Sequence, residues 1–378
     1  MIKICKIGFV LFFFLSCGAK KERAEQISSE NNAPKKWVSY TSNNPIQKKR
    51  IVLVSGDEEY RSEEALPQLA KILSKRHGFD CTVLFAQEAT KPGLVNPNHR
   101  HNIEGLSLLS DADLVIWFTR FRNLPAEQVQ YLDDYLMQGK PLIAMRTTTH
   151  AFSFDEKNHS FAHYGWDYKG DKKDWNLGFG KKILGETWYV HHGNHKDQST
   201  RGVFHPDAQG HPVLNGIQDG SIWGATDVYG IRFPLKEGTE ILVVGQTIDR
   251  IGEFDENDLF YGMKETDTVL AKVAGYGDNL YNPNENMPPI VWKNPYQLQG
   301  GKKGWAITST IGAATDLLDE EVRRLFVNAS YHLLGLEVPK KADVTTVGDY
   351  NPSQFGFRDD AHWVEKNLRV EQLTKEVE

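Results

Sequence analysis

The chain has 378 residues, of which 40% are hydrophobic and 25% are charged, and this length allows one large domain or two ordinary ones. This composition is typical of globular proteins and excludes a wholly disordered, a collagen-like or a polytopic membrane protein. Because 44 basic residues oppose 50 acidic ones, the net charge is −6, and no basic excess favours nucleic acid as a partner.

The N-terminal residues predict an exported protein. Lys3 and Lys6 precede the apolar run 7–15, which is too short to span a bilayer and is typical of a secretory signal. A small residue followed by Cys17 at the end of this run resembles the lipobox of bacterial lipoproteins. We therefore expect residues 1–17 to be a lipoprotein signal peptide and Cys17 to carry the lipid anchor. The protein would then face the periplasm or the exterior of the bacterial cell envelope. The alternative is an ordinary secretory signal with an incidental cysteine.

The cysteine count agrees with this interpretation. Cys5 lies in the segment that would be removed and Cys17 would be lipidated, so Cys81 alone remains and no internal disulfide is expected. The polar residues that follow Cys17 predict a flexible tether over residues 18–47.

The next part of the chain alternates between strands and helices. Short apolar, β-branched runs predict buried strands at residues 51–55, 79–85, 113–118 and 141–145. Amphipathic patterns with capping signals predict helices at residues 62–77 and 125–137. This alternation favours a mostly parallel sheet that is covered by helices on both faces.

The regular alternation stops after His150. Residues 151–205 and 249–289 are predicted to be long irregular insertions, which in compact domains are usually functional or disordered. A further strand is expected at residues 241–245, an antiparallel pair at 290–292 and 304–308, and a final helix at 317–334. The polar tail contains Phe355, Phe357 and Trp363, which suggest that it packs back onto the domain.

Several motifs in this order resemble one known family. They are residues 55–61 (SGDEEYR), 124–125 with 139–141 (LP and GKP), 211–217 (HPVLNGI), 289–292 (PIVW) and 304–312. Over residues 48–338 the chain is similar to the trehalose-utilisation (ThuA-like) family of the class I glutamine amidotransferase-like superfamily, which leaves 339–378 as a C-terminal extension. The resemblance implies a flavodoxin-like, doubly wound α/β fold with long loop insertions, and an association with sugar metabolism.

The sequence departs from that superfamily at its nucleophile. The superfamily's amidotransferases place a catalytic cysteine on the turn after the strand that ends near Met145, where this chain has Arg146-Thr-Thr-Thr-His150. Cys81 lies within a predicted strand, where a buried structural thiol is expected. Glutaminase-type thiol chemistry is therefore not expected.

The ends of the predicted strands supply a set of polar side chains. In doubly wound sheets, ligands bind at the carboxyl ends of the strands. We expect His150, with Asp57 or Glu58, to move protons, and we expect six side chains to bind the substrate: Tyr60, Arg61, Arg120, Arg122, Arg146 and Thr147. Arg120 and Arg122 alternate along an extended stretch, so at most one of them should face the site. The opposing interpretation is that these charges are simply solvated.

Two later segments supply further candidates. His191 and His192 are expected in the site, and with His195 they could form part of a divalent metal site, although no metal or other cofactor is the main expectation. Trp223 or Tyr229 could stack on a sugar ring while Asp227 accepts its hydroxyl groups; the alternative for this segment is strand packing.

Three functions remain open from the sequence. The first is an enzyme that processes a sugar, glycoside or keto-sugar by general acid–base chemistry. The second is a non-catalytic sugar-binding lipoprotein, and the third is a metal-dependent hydrolase. In each case the partners would be a carbohydrate-derived small molecule and the membrane that holds the anchor. The oligomeric state stays open.

Overall fold

The computed structural model describes residues 34–42, 48–156 and 158–375, and the chain from Lys36 onward forms one compact unit. The predicted signal peptide, Cys17 and most of the predicted tether lie outside the described residues. Within the described ranges, no helix is both long and apolar enough to cross a membrane.

The described residues form twelve strands and six α-helices. The strands are β1 (Trp37–Tyr40), β2 (Arg50–Gly56), β3 (Asp80–Phe85), β4 (Leu114–Thr119), β5 (Leu142–Met145), β6 (Val190–His191), β7 (Gln198–Phe204), β8 (Ile222–Gly224), β9 (Tyr229–Gly230), β10 (Glu240–Asp249), β11 (Pro289–Tyr296) and β12 (Gly304–Ser309). The helices are α1 (Ser62–Lys75), α2 (Ala126–Met137), α3 (Gly178–Leu184), α4 (Glu320–Leu333), α5 (Asp360–Lys366) and α6 (Val370–Lys375).

Ten of these strands form one large sheet in the order β1-β3-β2-β4-β5-β12-β11-β10-β7-β8. The block β3-β2-β4-β5-β12 is parallel throughout, and the strands on either side of it are antiparallel to their neighbours. The prediction of an α/β fold built on a large central sheet is confirmed, as is the antiparallel pairing of β11 with β12.

Helices cover both faces of the parallel block, which explains why its strands are continuous apolar runs. In β2, Ile51 and Leu53 pack into a core that includes α1 and α4, whereas Val52 and Val54 pack into a second core that includes α2 and α3. A strand that is buried on both faces has no polar alternation. The short β-branched runs of the sequence were therefore sufficient to locate these strands.

The predicted irregular segment 151–205 contains elements that the sequence pattern did not reveal. Strand β7 pairs with β10 along seven residues, and α3 covers one face of the sheet. Three buried positions of β7 are the polar residues Gln198, Ser199 and Thr200, so hydrophobic periodicity could not detect the strand. The second predicted irregular stretch contains no helix or strand between Asp249 and Pro289.

The predicted tether is wrong at its C-terminal end. Residues 37–40 form the edge strand β1, which pairs antiparallel with β3 and buries Val38 and Tyr40. The alternation of exposed and buried side chains in this short strand is the ordinary pattern of a half-buried edge. The packed unit therefore begins before residue 48.

The C-terminal extension packs against the end of β2. The Phe355 ring stacks on Tyr60 at 5.7 Å, and the Gly356 N–H donates a hydrogen bond to the Glu59 carbonyl at 2.7 Å. Trp363 on α5 is buried with its ring 5.1 Å from the Arg61 guanidinium. Residues after 338 thus belong to the same packed unit, and they reach the strand ends at which the sequence predicts the site.

We predict that Trp363→Ala lowers the free energy of unfolding by about 3–5 kcal/mol, the usual cost of removing a buried Trp side chain. Val364 lies on the same helix and is 67% exposed, so Val364→Ala is the matched control and should leave stability nearly unchanged. Chemical denaturation measures both effects. Equal stabilities for the two variants would show that the extension does not contribute to the core.

Candidate functional site

Three strand ends meet in one cleft. The segments that follow β2, β4 and β5 lie side by side because parallel neighbours end at the same edge of a sheet. The cleft is open to solvent and its volume is about 110 Å³, which is smaller than the roughly 300–1,000 Å³ of a drug-sized ligand site. It is lined by Glu59, Tyr60, Arg120, Phe121, Thr147, His150, Trp188, His191, Tyr229 and Phe357. Six of these residues are among the predicted site residues: Tyr60, Arg120, Thr147, His150, His191 and Tyr229.

A buried ion pair lies next to the cleft. Arg146 donates hydrogen bonds to the Asp227 carbonyl at 2.9 Å, to Asp227 Oδ1 at 3.2 Å and to the Thr310 carbonyl. Its guanidinium lies between the rings of Tyr60 and Tyr229, at 4.4 and 4.9 Å from their centroids. Arg146 and Asp227 do not line the cleft themselves; they hold side chains that do.

The backbone at Arg146 is strained. Its φ of 46° lies in the left-handed region, which costs a residue with a side chain roughly 1–2 kcal/mol. This conformation turns the chain sharply from β5 into the 3₁₀ turn Arg146–His150. The three hydrogen bonds of the guanidinium offset that cost.

Electrostatics keep both partners of the pair charged. Burial would by itself raise the pKa of Asp227, but hydrogen bonds from His191 and His195 and the Arg146 charge hold it far below its usual range. Burial would likewise lower the pKa of Arg146, but the nearby Tyr60, Asp227 and Tyr229 outweigh it and the pKa is raised. Asp227 is therefore a permanent acceptor at the centre of the site.

Asp227 holds two imidazoles with its two carboxylate oxygens. His191 Nδ1 lies 2.9 Å from Oδ2, and His195 Nδ1 lies 2.9 Å from Oδ1. The hydrogen bond to Asp227 is the main reason why the pKa of His191 is raised. One ligand atom from each of these three residues lies within 4.8 Å of the others, so they could hold a metal ion.

A chain of hydroxyl groups orients His150. The Tyr229 hydroxyl donates to the Arg146 carbonyl, so it can only accept from Thr149 Oγ1 at 3.2 Å. Thr149 Oγ1 then accepts from His150 Nδ1 at 3.3 Å. We therefore assign the proton of the neutral imidazole to Nδ1 and the lone pair to Nε2.

His150 is held in its neutral form. Burial, followed by the charges of Arg120, Arg146 and His191, lowers its pKa well below the ordinary 6.5. Its ring lies 4.8 Å from that of Phe121 and 5.1 Å from that of Trp188. A buried, uncharged imidazole with its lone pair on Nε2 can accept a proton from a bound ligand.

Asp57 and Glu58 do not offer free carboxylates to the cleft. Asp57 is fully buried and accepts hydrogen bonds from two backbone N–H groups and from the Thr147 hydroxyl. Glu58 is bound by Arg120 Nη1 and Arg122 Nη2, both at 2.6 Å. Both carboxylates thus stabilise the turn after β2, and neither lines the cleft.

Glu59 supplies the cleft's carboxyl group instead. Its oxygens lie 3.4 Å from Arg120 Nε and 3.6 Å from His195 Nε2. Burial raises its pKa, and Arg120 only partly counters this effect. Three adjacent acids follow β2, and the sequence did not show which of them faces the cleft.

Two predicted arginines have structural roles. Arg61 donates to the carbonyls of Glu58 and Gly356 and lies against Trp363, so it joins the C-terminal extension to the turn after β2. Arg122 is fully buried and binds Glu58 and nearby backbone carbonyls. Arg120 lines the cleft and Arg122 does not, as the alternation of the two predicted.

His192 and Trp223 also lie outside the cleft. His192 Nε2 is 2.7 Å from the Pro283 carbonyl, so its ring is directed away from the imidazoles that bind Asp227. Trp223 is buried in β8 and donates to Ser199 Oγ at 3.3 Å, with Phe260 packed edge-on against it. For Trp223 the strand-packing interpretation is correct. Tyr229 lines the cleft, and its stacking on a sugar ring stays a prediction.

Three aromatic residues of the cleft were not predicted. Phe121 follows β4, Trp188 precedes β6, and Phe357 comes from the C-terminal extension. Arg120 lies between the rings of Phe121 and Phe357, at 4.6 and 4.9 Å. The aromatic residues of the extension predicted that it packs back onto the domain, but the sequence did not indicate which surface they contact.

Cys81 is buried in β3, and burial raises the pKa of its thiol well above the ordinary value. This placement is the one expected for a structural thiol.

Comparison with known proteins gives structural neighbours only. No family profile matches the sequence, and no curated protein matches it. A ThuA-like protein from Parabacteroides merdae is similar in structure with 13% identity and a TM-score of 0.45, covering 82% of this chain and 98% of that one. A ThuA-like protein from Bacteroides uniformis has 15% identity and a TM-score of 0.41, covering 77% and 93%. A cytoplasmic protein from Salmonella typhimurium has 11% identity and a TM-score of 0.35, covering 76% and 99%. ThuA-like proteins, to which the sequence motifs pointed, are thus among the solved structures that this chain resembles.

Proposed function

We propose that this chain is a carbohydrate-processing enzyme that acts on a sugar, glycoside or keto-sugar by general acid–base chemistry without a cysteine nucleophile. The observation that carries the proposal is the shared cleft: Tyr60, Arg120, Thr147 and His150 come from three separate strand ends and line one hollow. Buried side chains of perturbed pKa in a cleft are typical of active sites.

The lining of the cleft suits a sugar. The rings of Phe121, Trp188 and Phe357 offer apolar faces for the C–H side of a pyranose or furanose ring. Arg120 offers N–H donors to hydroxyl or carbonyl oxygens, and the Thr147 oxygen, whose proton is donated to Asp57, can accept from a hydroxyl group. Apolar walls with a few convergent polar groups are the usual form of a small-molecule site.

His150 is the proposed proton acceptor. Its neutral imidazole takes a proton from a sugar carbon next to a carbonyl, or from a hydroxyl group, at Nε2, and returns it later in the reaction. The Arg120 guanidinium stabilises the negative charge that develops on the substrate oxygen. The carboxyl group available as a second proton-moving group is that of Glu59, in place of the Asp57 or Glu58 expected from the sequence.

A non-catalytic sugar-binding protein remains the second candidate, because a fold does not fix a function. The two candidates differ in one measurable property. Both require the sugar to bind in the cleft, and only the enzyme requires His150 to exchange a proton.

We also propose that the parallel block is flavodoxin-like. Numbered in chain order, its five strands lie in the order 2-1-3-4-5, which is the flavodoxin order. The antiparallel strands β11, β10, β7 and β8 then form an addition to that core, and the segment that carries His191 and His195 lies directly before β7.

We propose in addition that the domain is held at the cell envelope by lipid on Cys17. The support is the apolar run 7–15 with a small residue before the cysteine. Stable anchoring requires more than one acyl chain, which lipoprotein processing supplies.

We expect His150→Ala to lower kcat by about 10²–10⁴-fold for the sugar that the wild type converts, while the sugar still binds. The measurement is a product screen over sugars and keto-sugars, with binding followed by calorimetry. His192 carries an imidazole outside the cleft, so His192→Ala is the control and should keep wild-type turnover. Binding without any product in the wild type would favour the non-catalytic candidate.

The pH profile gives the same test without a variant. Because the folded-state pKa of His150 lies below 6.5, the imidazole is already neutral at pH 7. Activity should therefore be limited by His150 only when the pH falls through that lowered pKa, where the imidazole becomes protonated and can no longer accept a proton. An acidic limb of kcat/KM centred above pH 7 would contradict His150 as the base.

We expect Cys17→Ser to release the protein from the membrane fraction, because the anchor has no attachment point without the thiol. Fractionation of cells that express the full chain, with labelled palmitate, measures this effect. Cys5→Ser is the matched control and should stay in the membrane fraction and keep the label. Unchanged labelling and fractionation of Cys17→Ser would contradict the lipoprotein interpretation.

A further inference from the structure

Two imidazoles are pre-oriented at the edge of the cleft. His191 and His195 each direct Nδ1 at the same buried carboxylate, and their ring centroids lie 5.3 Å apart. Both Nδ1 atoms lie 2.9 Å from an oxygen of the carboxylate that also accepts from Arg146, so each Nδ1–H is the donor of its hydrogen bond. In the neutral imidazoles both Nε2 atoms therefore carry lone pairs.

A hydrogen bond from Nδ1–H to a carboxylate is common in histidines that bind a metal through Nε2. A histidine that binds a metal through one ring nitrogen nearly always donates its other N–H to a carboxylate or carbonyl, which fixes the tautomer and the ring orientation. Here one carboxylate does this for two histidines.

Glu59 supplies a carboxylate close to one of these imidazoles. Glu59 Oε1 lies 3.6 Å from His195 Nε2, which is too long for a hydrogen bond, and Glu59 and His191 line the same cleft. The side chains of His191 and His195 are 35% and 19% exposed, so an ion can reach them from solvent, whereas Asp227 is fully buried. Asp227 also accepts from three donors already, so Glu59 is the available carboxylate.

We propose that His191 Nε2, His195 Nε2 and the Glu59 carboxylate bind one divalent first-row transition metal ion, with Zn²⁺ the best fit, and that Asp227 is the positioning residue of this site. Two imidazoles and one carboxylate form a known zinc ligand set that leaves a coordination position open. His192, the third histidine of the segment, takes no part because its Nε2 is bound to the Pro283 carbonyl.

The metal site deepens the proposed function and rests on it only for its role in turnover. A bound ion would polarise a carbonyl or hydroxyl oxygen of a sugar in the cleft as a Lewis acid. Glu59 would then be a ligand, and His150 would remain the group that moves the proton.

The test is a calorimetric titration of the chelator-treated full chain with Zn²⁺ alone, without any sugar. We expect one equivalent to bind, and His191→Ala and His195→Ala to lower the affinity by at least about 100-fold. Glu59→Gln keeps the size of the side chain and both imidazoles, and it should also weaken binding. It serves as the test if a histidine variant does not fold. Asp227→Asn should lower the affinity by about 10–100-fold.

His192→Ala is the matched control and should bind Zn²⁺ as the wild type does. The absence of saturable Zn²⁺ binding in the wild type would overturn the proposal, and so would equal affinities for the wild type, His195→Ala and Glu59→Gln. Zn²⁺ binding without sugar turnover would keep the metal site and contradict the proposed function. Metal-independent turnover without Zn²⁺ binding would keep the proposed function and contradict the metal site.

Discussion

The Asp227 carboxylate, buried against Arg146, is the constraint on which the rest of the site depends. A charge in this position is stable only if its neighbours supply compensating donors, and Arg146, His191 and His195 do so. Arg146 comes from the turn after β5, whereas His191 and His195 come from the segment directly before β7. One buried anion thereby fixes the turn after β5, the two imidazoles before β7 and, through the Tyr229 ring, the hydroxyl chain that orients His150.

The sequence located the site at the level of segments. Buried parallel strands are continuous apolar runs, so their ends could be read directly, and the structure brings Tyr60, Arg120, Thr147 and His150, which follow those ends, into one cleft. What the sequence could not supply is the direction of each side chain within a turn. Asp57, Glu58 and Glu59 are adjacent acids, and only tertiary packing decides that Glu59 faces the cleft.

Contributions from distant parts of the chain were the second gap. Phe357 reaches the cleft because Phe355 and Trp363 fix the C-terminal extension on Tyr60 and Arg61, and these contacts join residues about 300 positions apart. Strand β7 escaped detection because it buries polar side chains that pair with other polar groups. Both gaps have the same cause: local periodicity reports what is apolar, whereas this site is built from buried polar groups whose partners are remote.

A double-mutant cycle on Arg146 and Asp227 tests the central claim most directly, with the free energy of unfolding measured for Arg146→Met, Asp227→Asn and the double variant. If the pair is the organising interaction, each single variant should lose about 3–5 kcal/mol, because it leaves a buried charge without its partner, and the double variant should lose clearly less than the sum of the two. Losses that simply add would show that the two side chains act independently, and would contradict the account.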